Sequence, residues 1–447
     1  MIRKSTSVAV AAATVGVLAL AGCSPSAGGG GDADGVTLNY ALWDTSQVPA
    51  YEACAADFEK ESGVKVNVTQ SDWGSYWTGL STDFVAGTGP DVFANVTSNY
   101  PDYATQGQLV DLTPLIEEDD VDLDAFIPVT LQNWEMDDKY WGLPKDIDAV
   151  GLAYDTAAVE AAGIDPATLN DLDWNASDGG SFGELIKALA VDADGNTGLD
   201  ADFDKGNVTR YGLRASDPNS VTGHTGWGNF AVSGGTELLS PNPFGEEWHF
   251  GDEAVIDSIA WFQQMQNDGY IQPASLNSSL STAALFDAGT IALAVDGSWN
   301  AGLFSEGKAD IAWSKLPEGP NGLRSYTNSL ADSINANSKH PDEAWEWVKY
   351  LGSAACQDKV ATFGVVFPAI AESTDKAIAA YEEKGVDLQP ILDTITDPDA
   401  PVALPVALKF AQVSQAGSAA LQNIFLNGTD PADTLTALNE EVSALYK

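Results

Sequence analysis

Residues 36–95 read VTLNYALWDTSQVPAYEACAADFEKESGVKVNVTQSDWGSYWTGLSTDFVAGTGPDVFAN, and the order of periodicities in this stretch decides the fold class. Val36, Leu38, Tyr40 and Leu42 alternate with Thr37, Asn39 and Ala41, the two-residue repeat of a strand. Over 49–61 the period becomes helical, with Tyr51, Cys54, Ala55 and Phe58 on one face, and Ser62-Gly63 stops it. Val64, Val66 and Val68 alternate again. Residues 75–86 return to helical spacing through Tyr76, Leu80 and Phe84, ended by Gly87 and Gly89-Pro90. Asp91-Val92-Phe93-Ala94 is a short third strand. A β-α-β-α-β order implies parallel strands with right-handed crossovers. Ligand loops in such sheets lie at the carboxyl ends of the strands. The residues placed there are Trp43 and Asp44, Asp72 and Trp73, and Asn95.

Downstream, Tyr140-Trp141-Gly142-Leu143-Pro144 leads into an apolar strand over 149–154, preceded by Lys145, Asp146 and Asp148. Helical patterns recur at 182–189, 255–268, 283–288 and 342–351, the last with Ala344, Trp345, Val348 and Leu351 on one face. A buried strand over 291–295 runs into Asp296-Gly297-Ser298-Trp299. Asp430 as N-cap and Pro431 at the first helical position open a final helix with Leu435, Leu438, Val442 and Leu445 inward.

Upstream of the opening strand, Arg3 and Lys4 precede an apolar stretch over 8–21, shorter than a membrane-spanning helix requires. It ends in Leu20-Ala21-Gly22-Cys23, which resembles the lipobox of bacterial lipoproteins. That resemblance implies cleavage before Cys23 and attachment of lipid to it; the alternative is an ordinary cleaved signal with an incidental cysteine. Residues 1–22 are then a signal peptide and 23–35, rich in Gly and Ser, a flexible tether. The globular part would begin near Val36, on the extracellular face of the cytoplasmic membrane.

The 447 residues carry 65 Asp+Glu against 20 Lys+Arg, a net charge of −45. Loss of residues 1–22 removes Arg3 and Lys4 and no acid, taking −45 to −47. So strong an acid excess argues against nucleic acid and polybasic membrane binding, both of which need clustered cations. It favours a soluble monomer. With 13 Trp, 13 Tyr and 16 Phe, the chain is far richer in aromatics than disordered acidic chains. Cys54 and Cys356 are left once Cys23 is lipidated, and export makes a disulfide between them the preferred reading over two separate buried thiols.

Taken in order, these pieces resemble the extracellular solute-binding proteins of ATP-driven (ABC-type) bacterial importers, in the sugar-binding branch that includes maltose-binding protein. The lipobox and tether are one piece. The second is the helix through Phe84-Val85-Ala86-Gly87-Thr88-Gly89 into Pro90-Asp91-Val92-Phe93. The third is Trp141-Gly142-Leu143-Pro144, an apolar strand, and Tyr154-Asp155, where the family often has Asn in the last place. The fourth runs from Ala288-Gly289-Thr290 to Gly297-Ser298-Trp299 and on to Ser338-Lys339-His340-Pro341 with Ala344-Trp345. The resemblance implies an α/β fold of the periplasmic-binding-protein type II kind: two α/β lobes with parallel-rich sheets and a multi-segment hinge. One lobe would take 36–147 and 328–364, the other 148–327 and 365–447. It also implies capture of a mono- or oligosaccharide by lobe closure, with delivery to the importer's permease subunits.

A sugar presents hydroxyls, matched by Asp, Asn and Arg, and C–H faces, matched by flat aromatic rings. Trp299 follows a strand end where the family commonly places a stacking aromatic. Trp43 and Asp44 follow the first strand, Asp44 as a hydroxyl acceptor or a helix N-cap. Trp73, Tyr76 and Trp77 divide between cleft and core, and Asn95 between ligand contact and turn. Asp146 and Asp148 sit at the crossover, as ligand acceptors or hinge hydrogen-bond partners. Trp227 lies in the glycine-rich Gly226-Trp227-Gly228 segment, as an aromatic wall or core. Arg324 is a hydroxyl or carboxylate grip or a local charge balance, and Phe367 belongs to cleft or core. The acidic run from Asp192 to Asp204 resembles a calcium loop but lacks glycine at the sixth position and has Phe203 at the twelfth, so a solvated loop and no metal or cofactor is the reading adopted. The competing functions are a surface glycan hydrolase using an Asp/Glu pair and a non-transporting sugar sensor or adhesin on the same fold. The sequence has no H-E-x-x-H or C-x-x-C, so zinc chemistry lacks a motif.

Overall fold

In the computed structural model, which describes residues 35–276 and 280–447, the opening stretch folds as its periodicity dictates. β1 (Thr37–Leu42), α1 (Val48–Ser62), β2 (Lys65–Gln70), α2 (Trp73–Ala86) and β3 (Val92–Val96) follow in order. Pro49 enters α1 in its first turn, where the missing N–H has no intrahelical partner to lose, and Gly63 ends it at φ 76°, a left-handed position natural to glycine. β1 pairs in parallel with both β2 and β3. The candidate signal peptide, the lipobox cysteine Cys23 and the tether to 34 lie outside the described residues.

The remaining elements that position the site are β4 (Leu143–Asp155), β5 (Val208–Ala215), α3 (Trp227–Ser233), α4 (Glu253–Asn267), β6 (Ile291–Gly297), β7 (Ser325–Ile334), α5 (Pro341–Leu351), α6 (Ala354–Phe363), β8 (Phe367–Pro368), α7 (Phe410–Asn427) and α8 (Pro431–Leu445). The main sheet runs β2-β1-β3-β7-β4-β6-β5. The parallel pairs β1–β2, β1–β3 and β5–β6 lie to either side of the long strands, and β7 also pairs in parallel with Pro401–Ala403. Antiparallel pairing is concentrated on β4 and β7, which pair with each other. Among the described residues no helix is long and apolar enough to cross a membrane.

β4 starts at Leu143, well before the apolar run at 149, because Lys145, Asp146 and Asp148 hide the strand pattern while being buried themselves. Its first half pairs with β7, from Leu143 opposite Asp332 to Ala149 opposite Thr327; its second half pairs with β6, from Val150 to Tyr154. One strand therefore joins two hydrophobic centres. Leu38, Phe58, Val92 and Trp347 belong to the first and Leu152, Phe182, Phe230 and Leu438 to the second. Between them Ile147 and Ala149 pack with Phe367 and Tyr381. A methyl group at Gly151 would meet Ile391 Cδ1 at 2.2 Å, so glycine there permits the close approach of the next layer. Cys54 on α1 and Cys356 on α6 are joined in a disulfide, with Cα atoms 5.4 Å apart.

The first centre encloses a polar cluster. The Tyr40 hydroxyl donates to Asp332 Oδ1 at 2.8 Å, while Oδ2 of this buried carboxyl has no partner. Burial pushes Asp332 up to about 6. A carboxyl raised above its unfolded value of about 3.9 favours the folded state most below that value, and the benefit is lost as pH rises through about 6. Asp332→Asn, which keeps an acceptor for Tyr40, is accordingly expected to raise the melting temperature at pH 7.5 and leave it near wild type at pH 4, measured by thermal unfolding of both proteins in matched buffers.

Candidate functional site

A cavity of about 790 Å³ opens at the carboxyl ends of β1 and β6, where β4 crosses. From the β1 side Trp43 and Asp44 reach it, with Trp73 from the start of α2. Trp43 is held by edge contacts at 5.1 Å to Trp73 and 5.3 Å to Tyr76, and by Trp77 at 5.4 Å. Tyr76 and Trp77 thus back the Trp43 ring rather than line the cavity. Tyr76 is buried and its hydroxyl donates to the carbonyls of Ala94 at 2.7 Å and Ala41 at 3.1 Å. Trp73 is half exposed at the rim, 53% accessible.

The β6 side supplies Trp299. Asp296, buried at the end of β6, accepts Gly297 N and Asn300 Nδ2 on Oδ1, both at 2.8 Å. Its Oδ2 accepts the Ser216 and Thr282 hydroxyls at 2.8 and 3.0 Å. The carboxylate thereby fixes the turn that carries Trp299. The indole lies over Gly297, where an added Cβ would fall 1.9 Å from the ring. Gly297→Ala is therefore expected to swing the indole out of place and weaken binding about as much as losing the ring, while the wild-type fold is retained; circular dichroism and a ligand titration check the two parts.

Asp44, Asp146, Asp148 and Asp217 bring carboxyls to the cavity wall, and no Lys or Arg lines it among the described residues. Asp44 both caps and faces the cavity: Oδ1 accepts Ser46 N at 2.8 Å and Ser46 Oγ at 2.7 Å, and Oδ2 accepts Gln47 Nε2 at 2.9 Å. Of about four lone-pair sites on a carboxylate, one is left for a ligand hydroxyl. Asp148 Oδ1 and His224 Nε2 are buried without hydrogen-bond partners and stand 3.8 Å apart, beyond bonding reach of each other. Burial, then the Asp146 charge, holds Asp148 well above the usual carboxylate range, and burial pulls His224 down to about 4. His224 also leans on Trp299 at 5.3 Å. A group that both donates and accepts hydrogen bonds, such as a hydroxyl, fits between these two atoms. The far wall is α7, which turns Phe410, Ser414, Ser418 and Gln422 to the cavity at four-residue intervals.

Several sequence-selected residues lie elsewhere. Asn95 is within β3, not after it; it is fully buried, with Nδ2 on Ser333 Oγ at 3.2 Å and Oδ1 on Val96 N at 2.9 Å. Trp227 opens α3 instead of sitting in a loop, and is buried among Phe230, Phe262 and their neighbours. Arg324 spends its guanidinium on the Asp399 carbonyl. Phe367 pairs with Ile147 in β8 and packs on Tyr381 at 5.8 Å, behind the cavity. In the acidic loop, Asp192 accepts the N–H groups of Asp204, Asn196 and Asp194, which with the Asn196 amide hold its carboxyl down to about 2. Those bonds occupy both oxygens of Asp192.

His224, Asn300 and the α7 stripe went unselected. Ser414, Ser418 and Gln422 at i, i+4 and i+8 form one polar helical face. That spacing is a detectable signal, whereas nothing local marks His224.

The family described as bacterial extracellular solute-binding protein matches residues 53–385. The galactooligosaccharide-binding protein of Bacillus subtilis (strain 168) is 25% identical over 345 residues, 75% of this chain and 74% of its own. Maltodextrin-binding protein MdxE of the same organism is 24% identical over 349 residues, 78% and 76%. An ABC substrate-binding protein from Listeria monocytogenes, solved in complex with cycloalternan, superposes with a TM-score of 0.79 over 92% of this chain and 99% of that one at 17% identity, a likeness of fold: two lobes of the type II binding-protein kind.

Proposed function

This chain belongs to the family of bacterial extracellular solute-binding proteins, and on that premise we propose that it captures a neutral mono- or oligosaccharide between its two lobes and hands it to an ABC-type importer permease. Members of such a family bind a solute without transforming it, so no reaction is assigned. One observation carries the reading: flat aromatics reach a single cavity from both sides of the crossing strands, Trp43 and Trp73 from one and Trp299 from the other, with Asp44, Asp146 and Asp148 between them. Rings cover the C–H faces of a sugar and carboxylates accept its hydroxyls. The sugar-binding names of the two Bacillus relatives support the same class of ligand.

The lobes proposed are 36–147 with 328–364 and 148–327 with 365–447, crossed by β4, β7 and the segment holding β8. A sugar that touches both lobes only when they approach one another would favour the closed form. Lipid on Cys23 would hold the monomeric receptor at the outer face of the cytoplasmic membrane. A thermal-shift panel including glucose, galactose, maltotriose, mannotriose and raffinose, with chromatography of the sugars afterwards, tests the proposal. Stabilisation by one or more sugars without breakdown is expected; a panel without any shift, or release of smaller sugars, contradicts it.

A further inference from the structure

Resting on the reading just given, we infer that Gln47 and Lys145 are positioning residues that preset two ligand-facing carboxylates, Asp44 and Asp146, through one buried relay. Lys145 is 3% exposed and lies behind the cavity wall. Its Nζ donates to Asp146 Oδ2 at 3.0 Å and to Gln47 Oε1 at 2.7 Å, and stands 4.7 Å from the centre of the Tyr51 ring. Gln47, equally buried, uses the other end of its amide: Nε2 donates to Asp44 Oδ2 at 2.9 Å. An ammonium can only donate, so it fixes which end of the Gln47 amide faces it, and the amide then presents its donor to Asp44. The cation thus orients Asp146 directly and Asp44 at one remove.

Burial alone would pull the Lys145 proton off, but the Asp146 carboxylate, then Tyr51 and Asp332, more than offset it, and the ammonium stays charged. The relay sits where β4 enters the sheet, so the two carboxylates share one rigid reference. A carboxylate held before binding loses less rotational freedom when a hydroxyl arrives. Gln47 also lines the cavity, with one amide N–H on Asp44 and its oxygen on Lys145; a direct contact with the sugar would cost the same whether residue 44 is Asp or Asn, so a double-mutant cycle separates it from orientation.

The test is a double-mutant cycle, since replacing Lys145 itself would leave Asp146 and Asp332 buried without a cation. Gln47→Met and Gln47→Glu are each combined with Asp44→Asn; the Glu variant keeps an acceptor for Lys145 and carries the test should the Met variant fail to fold. The probe is the panel sugar giving the largest thermal shift, and affinity is read by titration calorimetry. Loss of Gln47 is expected to weaken binding about tenfold beside Asp44, and by less than about twofold once Asp44 is Asn. Equal losses in both backgrounds, or none in either, would overturn the relay while leaving sugar binding intact. A panel in which no sugar binds would instead remove the reading on which the relay rests.

Discussion

Trp299→Ala is expected to weaken sugar binding by about two orders of magnitude with little change in melting temperature. The ring is only partly buried, its inner face resting over Gly297, so its open face can cover a sugar. Covering roughly 100 Å² of apolar surface at about 25 cal/mol per Å² is worth about 2.5 kcal/mol, which is roughly 70-fold in affinity. Because Asp296 and its four hydrogen bonds hold the turn independently of the indole, alanine removes the platform without unmaking the loop. Titration calorimetry on wild type and variant with the same sugar measures the ratio. Equal affinities would exclude stacking on Trp299.

The disulfide is the second large effect. Cys54 and Cys356 are 302 residues apart, so the bond closes the greater part of the folded chain into one loop. A loop of that length places the expected stabilisation at the upper end of the usual range, about 4–5 kcal/mol. Both ends lie in the centre built around Phe58 and Trp347, where α1 packs on α6. The Cys54→Ala/Cys356→Ala double variant is expected to melt several degrees lower, and wild type in strong reductant to fall to the same midpoint. Coincident midpoints for reduced and oxidised wild type would show that the bond does not contribute.

What could be read from the residues follows from which forces are local. β1 to β3 were legible because each strand buries one face and alternates, while the intervening helices carry their own stops at Gly63 and Gly87. The first half of β4 was not, because Lys145, Asp146 and Asp148 break the apolar pattern, and the buried ammonium finds one of its partners in Gln47, 98 residues away. The same distance effect explains the site. Trp43, Asp44, Trp73 and Trp299 sit at strand ends or the start of a helix and reach the cavity. Asn95, expected just after the third strand, Trp227, expected in a glycine-rich loop, and Arg324, a scarce cation, are claimed elsewhere by packing and hydrogen bonding. His224 acquires its role only by being brought opposite Asp148 across the fold.

The most direct test is a crystal structure of the chain with the sugar that stabilises it most. The account predicts one ring of that sugar against Trp299, with hydroxyls on Asp44, Asp146 and Asp148 and contacts from Trp43 or Trp73 on the other side. A sugar seated away from these residues, or touching only one lobe, would contradict it.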